Sequence, residues 1–241
     1  MAQQQTAQSP VGGLLGEKER RLLEKSVIVR LVEKSGLKPI GDVAQRLLAV
    51  LSGPEPDTEN VCRLFERDPS LASNVLRIAN SPLYRAAETI DDIRTAVVRL
   101  GFEAVKELVI VHVHNGILKD STATASFYRA HSAACAAIAR ELAAMFAPEE
   151  DEGLFSSGLL HDVGKLVLLQ GGQQLYKTTL DATDMREPEE TLDLERAELG
   201  YDHAALGGLV LEHWAIPSPV PEVVALHHVD TAKIEIEHLV K

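Results

Sequence analysis

Two cysteines, Cys62 and Cys135, are all that this 241-residue chain contains. That is far too few for a disulfide framework, and each reads as a small buried hydrophobe. Basic residues are also short: 24 Lys and Arg against 36 Asp and Glu, a net charge of −12. A phosphate-binding surface needs concentrated positive charge, so nucleic acid is excluded as a partner. The basic residues around Lys18, Arg20, Arg21 and Lys25 are diluted by Glu17, Glu19 and Glu24 and read as a solvated face. No apolar run approaches the ~18 residues of a membrane span. The polar start, Met1 to Pro10, has no apolar core and does not read as a signal peptide. These exclusions leave a soluble, cytoplasmic globular protein as the expectation. The single tryptophan, Trp214, reads as a core anchor rather than a stacking platform.

What is present is helical. Residues 1–16 are rich in Gln, Gly and Ser and read as a disordered tail or linker, and Glu17 to Lys34 as a charged helix. The sequence then predicts short helices in close succession: one capped by Asp42, one by Thr58, one begun by Asp68-Pro69 and ended at Asn80-Ser81-Pro82, one opened at Asp91 or Asp92 and closed by Gly101, and Phe102 to Leu118. An alanine-dominated helix follows over Ala125 to Phe146, then helices from Pro188 to Leu199, from Asp202 to Trp214, and from Ser218-Pro219 to His227-His228, with a last stretch to Lys241. No two-residue hairpin signal appears. The expected fold class is all-α, in two lobes: a smaller helical lobe over 37–118 and a larger one over 119–241.

One stretch stands out. Ser156 to Leu169 is apolar all round and predicts one buried helix, yet His161, Asp162 and Lys165 lie within it. Buried ionisable groups must pair with one another, with other polar groups or with a metal. On a helix, His161 and Asp162 would point ~100° apart, with Lys165 one turn further on. Four more histidines, His131, His203, His227 and His228, sit where other helices could bring them in. Imidazole with carboxylate suits Zn, Fe, Mn or Ni, and bundles build metal sites from several helices. With two metals such a cluster could activate water for phosphoester hydrolysis. The simpler alternative is an Asp162–Lys165 ion pair with core histidines bonded around it, and chemistry alone puts the two near even. His112 and His114 point to different sides of their helix and are assigned nothing.

The chain resembles the HDOD domain, the HD-related output domain, over roughly residues 37–240. The resemblance is carried by Leu37-Lys38-Pro39-Ile40, Asp68-Pro69-Ser70-Leu71, Arg77 to Tyr84, Ile93 to Val109, Tyr128 to Ser132, Gly158 to Leu166, Glu195 to Pro217 and His227-His228. It implies a bacterial regulatory module, a degenerate relative of the HD phosphohydrolases and the HD-GYP phosphodiesterases. Such a module would act by binding a signalling protein or domain, under control of a ligand such as a nucleotide, and without established hydrolase activity. In active relatives His131, His161, Asp162, Lys165, His203, His227 and His228 fall on metal-ligand or catalytic-lysine positions. Were the chain active, Lys165 and Asp162 would carry catalysis. Two departures argue against that. His227-His228 is followed by Val229-Asp230 rather than by an acid and glycines, and Lys241 stands where the closing aspartate should follow a helix resembling Ile236 to Val240. Asp230, in a loop, is poorly placed to substitute. An ammonium where a carboxylate should hold a metal opposes metal binding. Homodimerisation through the Glu17–Lys34 helix is a further expectation.

Overall fold

A computed structural model describes residues 30, 32, 40–84, 89–118, 123–146, 153–170 and 188–229. All its described regular structure is helical. The expected Glu17–Lys34 helix, Asp230 and the last stretch to Lys241 lie wholly or almost wholly outside the described residues. By contact, the described residues within 38–159 and 214–217 form one compact unit, and those within 160–213 and 218–229 belong to another. The long helix over 123–146, expected with the HD-like lobe, thus groups with the first helices of the chain.

The first unit holds α1 (Asp42–Leu51), α2 (Thr58–Phe65), α3 (Pro69–Ala79), α4 (Ile93–Leu100), α5 (Phe102–Ile117), α6 (Ala123–Phe146) and most of α7 (Leu154–Leu160). Its starts are set by aspartate caps. Asp57 accepts from the backbone N–H groups of Glu59 and Asn60, Asp68 from Leu71, and Asp92 from Thr95. Two expected caps therefore shift by one residue. Asp57 rather than Thr58 caps α2, and Asp42 lies inside α1, paired with Arg46 while Gly41 takes the cap position. Asn80 does more than end α3. Its amide nitrogen donates to Leu76 O and Ile90 O, and its oxygen accepts from Ile90 N, tying the far end of the loop back to the helix. Leu47, Leu48, Phe65, Leu71, Val75 and Val105 form the dry interior, and Trp214 is 1% exposed, as expected of an anchor.

The second unit holds α8 (Val163–Gln170), α9 (Pro188–Leu199), α10 (His203–His213) and α11 (Val220–Leu226). α10 is buried nearly all round and packs against both α8 and α11. The approach of α10 and α11 is close enough that a Cβ at Gly208 would sit 2.7 Å from Pro221 O and from Ala225 Cβ. Among the described residues no helix is long and apolar enough to cross a membrane.

Candidate metal centre

The expected single helix through the histidine–aspartate pair is in fact two. α7 ends at Leu160 and α8 starts at Val163, so His161 and Asp162 occupy the turn between them. The Asp162 carbonyl accepts from the N–H groups of Lys165 and Leu166 and so begins α8. Sequence pattern misses the break because both segments are apolar all round; no polar face changes phase at the joint. The break frees the two side chains from a fixed 100° spacing.

Asp162 is 4% exposed and lies at the centre of the second unit's polar cluster. The Lys165 ammonium is 2.9 Å from its Oδ1 and 3.1 Å from its Oδ2. His161 Nε2 stands 3.5 Å from Oδ2; His203 Nε2 and His227 Nε2 stand 3.4 and 3.9 Å from Oδ1. Burial alone would raise the Asp162 carboxyl, but Lys165, then His161 and His203, outweigh it and hold the pKa at about 2.

The first turn of α10 explains His203. Asp202 caps that helix, accepting from Ala205 N, and is itself held by the Arg196 guanidinium at 2.6 Å. His203 Nδ1 lies 2.7 Å from Glu195 Oε2, which also accepts from the His203 backbone N–H at 2.7 Å. Glu195 is fully buried on α9. It therefore holds a ring hydrogen on Nδ1 and turns Nε2 toward Asp162 and His228. A carboxylate behind a histidine is the usual support for a metal-ligating imidazole. Sequence reading did not single out Glu195. α9 reads as polar, and only the bonds to His203 set Glu195 apart from its exposed neighbours.

His227 and His228 follow α11. His227 Nδ1 donates to Val224 O at 2.6 Å, which leaves Nε2 as a buried lone pair with no hydrogen-bond partner among the described residues. Burial is the main cause that pushes its pKa down to about 3, the backbone bond opposing and the neighbouring histidines adding. Burial likewise brings His228 to about 4, with His203 adding. His228 Nε2 lies 3.1 Å from His203 Nε2, close enough for the two ring nitrogens to share one proton.

The structure thus brings together His161, Asp162, Lys165, His203, His227 and His228. His131 lies on α6 in the other unit, 3.7 Å from Cys135 Sγ and stacked on Phe127. Ligand atoms of His203, His227 and His228 all lie within 4.8 Å of one another, as do those of His161, Asp162 and His227. The donor set fits a divalent metal of the imidazole-preferring class: several converging imidazole nitrogens, one carboxylate and an orphaned buried nitrogen. Replacing Glu195 by alanine should strip the His203 N–H groups of their acceptor, lowering stability by about 2 kcal/mol. Metal affinity, measured against a chromophoric chelator, should fall about 10–100-fold. Unchanged values for both would refute the supporting role.

Comparison with known proteins places the chain among relatives. The model of the HDOD domain matches residues 37–229. A crystal structure of an HDOD domain protein of unknown function from Geobacter sulfurreducens is 25% identical, with a TM-score of 0.67, over 88% of this chain and 72% of that one. A Shewanella amazonensis protein, provisionally named a phosphohydrolase, is 26% identical with a TM-score of 0.64, over 84% and 73%. An uncharacterised protein of Treponema pallidum is 23% identical over 185 residues, 74% of this chain. The chain spans only 35% of that relative's length.

Proposed function

The chain belongs to the HDOD family, and on that premise we propose that it is a regulatory output module in bacterial signalling that acts by binding a protein partner, without catalysis. The observation that carries the reading is the state of the carboxylates. Among the described residues, Asp162 and Glu195 are the acids that reach the histidines. Lys165 holds both oxygens of Asp162, and His203 engages Glu195 twice. Hydrolytic metal centres keep an open position for water and substrate, commonly with a second metal close by. Here the protein's own ammonium stands on the central acid. The cluster serves instead as a polar knot that joins the start of α8, the start of α10 and the end of α11.

A metal, when bound, would be held by His203, His227 and His228, with Asp162 and His161 adjoining, and would supply Lewis acidity and cross-linking of these segments. Iron, manganese, nickel and zinc all suit the donors. For the partner, support comes from α6. Phe127, Ile138, Leu142 and Met145 are 50–70% exposed and fall on one side of the helix at 100° per residue. A nucleotide as controlling ligand and a homodimer as the resting state complete the proposal.

The rival is a metal-dependent phosphohydrolase or phosphodiesterase that uses Asp162 and Lys165 with the same histidines. It is favoured by the convergence of imidazole nitrogens and by the provisional name of the Shewanella relative. Protein purified without chelator, loaded in turn with Mn, Fe or Ni, should turn over neither cyclic-di-GMP nor bis-p-nitrophenyl phosphate above the buffer rate. Turnover that disappears on His161→Ala establishes the enzyme and ends the regulatory reading.

A further inference from the structure

The first unit carries a cleft of about 520 Å³ between the start of α1, the start of α3 and the last turns of α5. None of the clustered histidines lines it, although Ile40, Asp68 and Ser70 belong to stretches that carry the family resemblance. Ile40, Ala44, Val113 and Ile117 give it an apolar wall, and Asp68, Asn74 and His112 a polar one. The polar wall is ordered. Asn74 Nδ2 donates to His112 Nδ1 at 3.1 Å, which leaves the ring hydrogen of the neutral imidazole on Nε2. Asp68 caps α3 through Oδ1 alone, accepting from Leu71 N at 3.0 Å. No lysine or arginine is among the described residues that line the cleft.

Two glycines border it, and neither is there for its backbone. Gly41 has φ −55°, and Gly116 lies in the last turn of α5 without a positive φ. A Cβ at either would meet nothing within 4 Å. In a helix glycine is about 1 kcal/mol worse than alanine, and at an N-cap serine or aspartate would do at least as well. Packing does not demand these glycines either. Both line the cleft, and a side chain at either place would begin in open space there.

We propose that this cleft is a binding site for a small uncharged or cationic organic molecule with an apolar face and N–H donors, such as a carboxamide or an amine. The Asp68 carboxylate accepts from the ligand's N–H group, the His112 imidazole donates to its acceptor, and the apolar wall covers its face. A phosphate or carboxylate ligand is disfavoured, because the described residues of the lining offer an acid and no side chain with permanent positive charge.

Four probes with one ring and different head groups test this: benzamide, benzylammonium, benzoate and phenyl phosphate. They are titrated into the full chain at pH 8, where an ordinary imidazole is neutral, and followed by protein NMR. Benzamide and benzylammonium should bind with dissociation constants on the order of millimolar, as fragments do, and the two anions roughly tenfold more weakly or not at all. Shifts should centre on Asn74 and His112. Gly116→Leu and Gly41→Leu, entering from different helices, should each weaken binding roughly tenfold or more, about 1.4 kcal/mol. Gly116→Ala, at a melting temperature no lower than that of the parent, should weaken it far less. The proposal fails if no probe binds, if the anions bind as well as the amide, if the shifts centre elsewhere, or if both leucine variants bind unchanged.

Discussion

Replacing Gly164 by alanine is expected to destabilise the second unit by about 3 kcal/mol, the upper part of the range for overpacking. An added Cβ would overlap the His203 carbonyl oxygen and lie 2.9 Å from the carbonyl carbon and 3.0 Å from Gly207 N. All three are backbone atoms in a buried helix, so no rotamer change relieves the clash. α8 and α10 would have to separate, and with them Asp162 and His203, whose nearest atoms are 3.4 Å apart. Urea unfolding followed by circular dichroism measures the loss. Gly116→Ala is the control: its Cβ meets nothing within 4 Å, and it should be neutral or stabilising by up to about 1 kcal/mol. A Gly164→Ala protein as stable as the parent would show that the helices do not approach as described.

The second large effect is acid destabilisation, and the histidines set its window. The His227 pKa falls from 6.5 to about 3, and that of His228 from 6.5 to about 4. Between those values the unfolded imidazole takes up a proton that the folded one refuses. Stability from these two groups is therefore fully present above pH 6.5 and is lost as pH falls toward 3–4. One such group loses about 1.4 kcal/mol by one unit below 6.5 and a similar amount over the next unit. His228 is only half-buried and contributes less, so about 3 kcal/mol should be gone by pH 4.5. Asp162 acts lower. Its carboxyl is held at about 2 against 3.8 unfolded, so its contribution is present above pH 3.8 and disappears as pH falls through 2. Unfolding free energies of chelator-treated protein at pH 7.0, 5.5 and 4.5 measure this directly, and His227→Gln should flatten the profile. A constant stability from pH 7.0 to 4.5 would mean that His227 is not buried as a neutral ring. Adding a divalent metal should raise stability most at pH 7, because protons compete for the same nitrogens.

How far the sequence reached is clearest at individual positions. Caps and stops were legible because they are local. Asp68-Pro69 starts α3, Asp92 starts α4, Asp202 starts α10 and Gly101 ends α4, each through bonds within a few residues of itself. Pro188 to Leu199 was bounded as observed, by a proline and a glycine. The misses at Asp42 and Thr58 are of one residue: Asp57 outcompetes Thr58 for the cap, and Gly41 takes the cap position while Asp42 pairs with Arg46.

The sequence alone determined that the chain is helical, that its interior is apolar with a charged trio set into it, and which histidines are available, since these follow from periodicity, composition and local hydrogen bonding. The family resemblance added which of those histidines to watch. Only the tertiary structure decided that His161 and Asp162 sit in a turn between two helices, because both flanking segments are apolar all round and leave no periodicity that marks the joint. It also decided that Glu195, eight residues before His203, is the acid behind that ring, and that Lys165 rests on both oxygens of Asp162. Distance through space selects these partners, and separation along the chain carries no record of it.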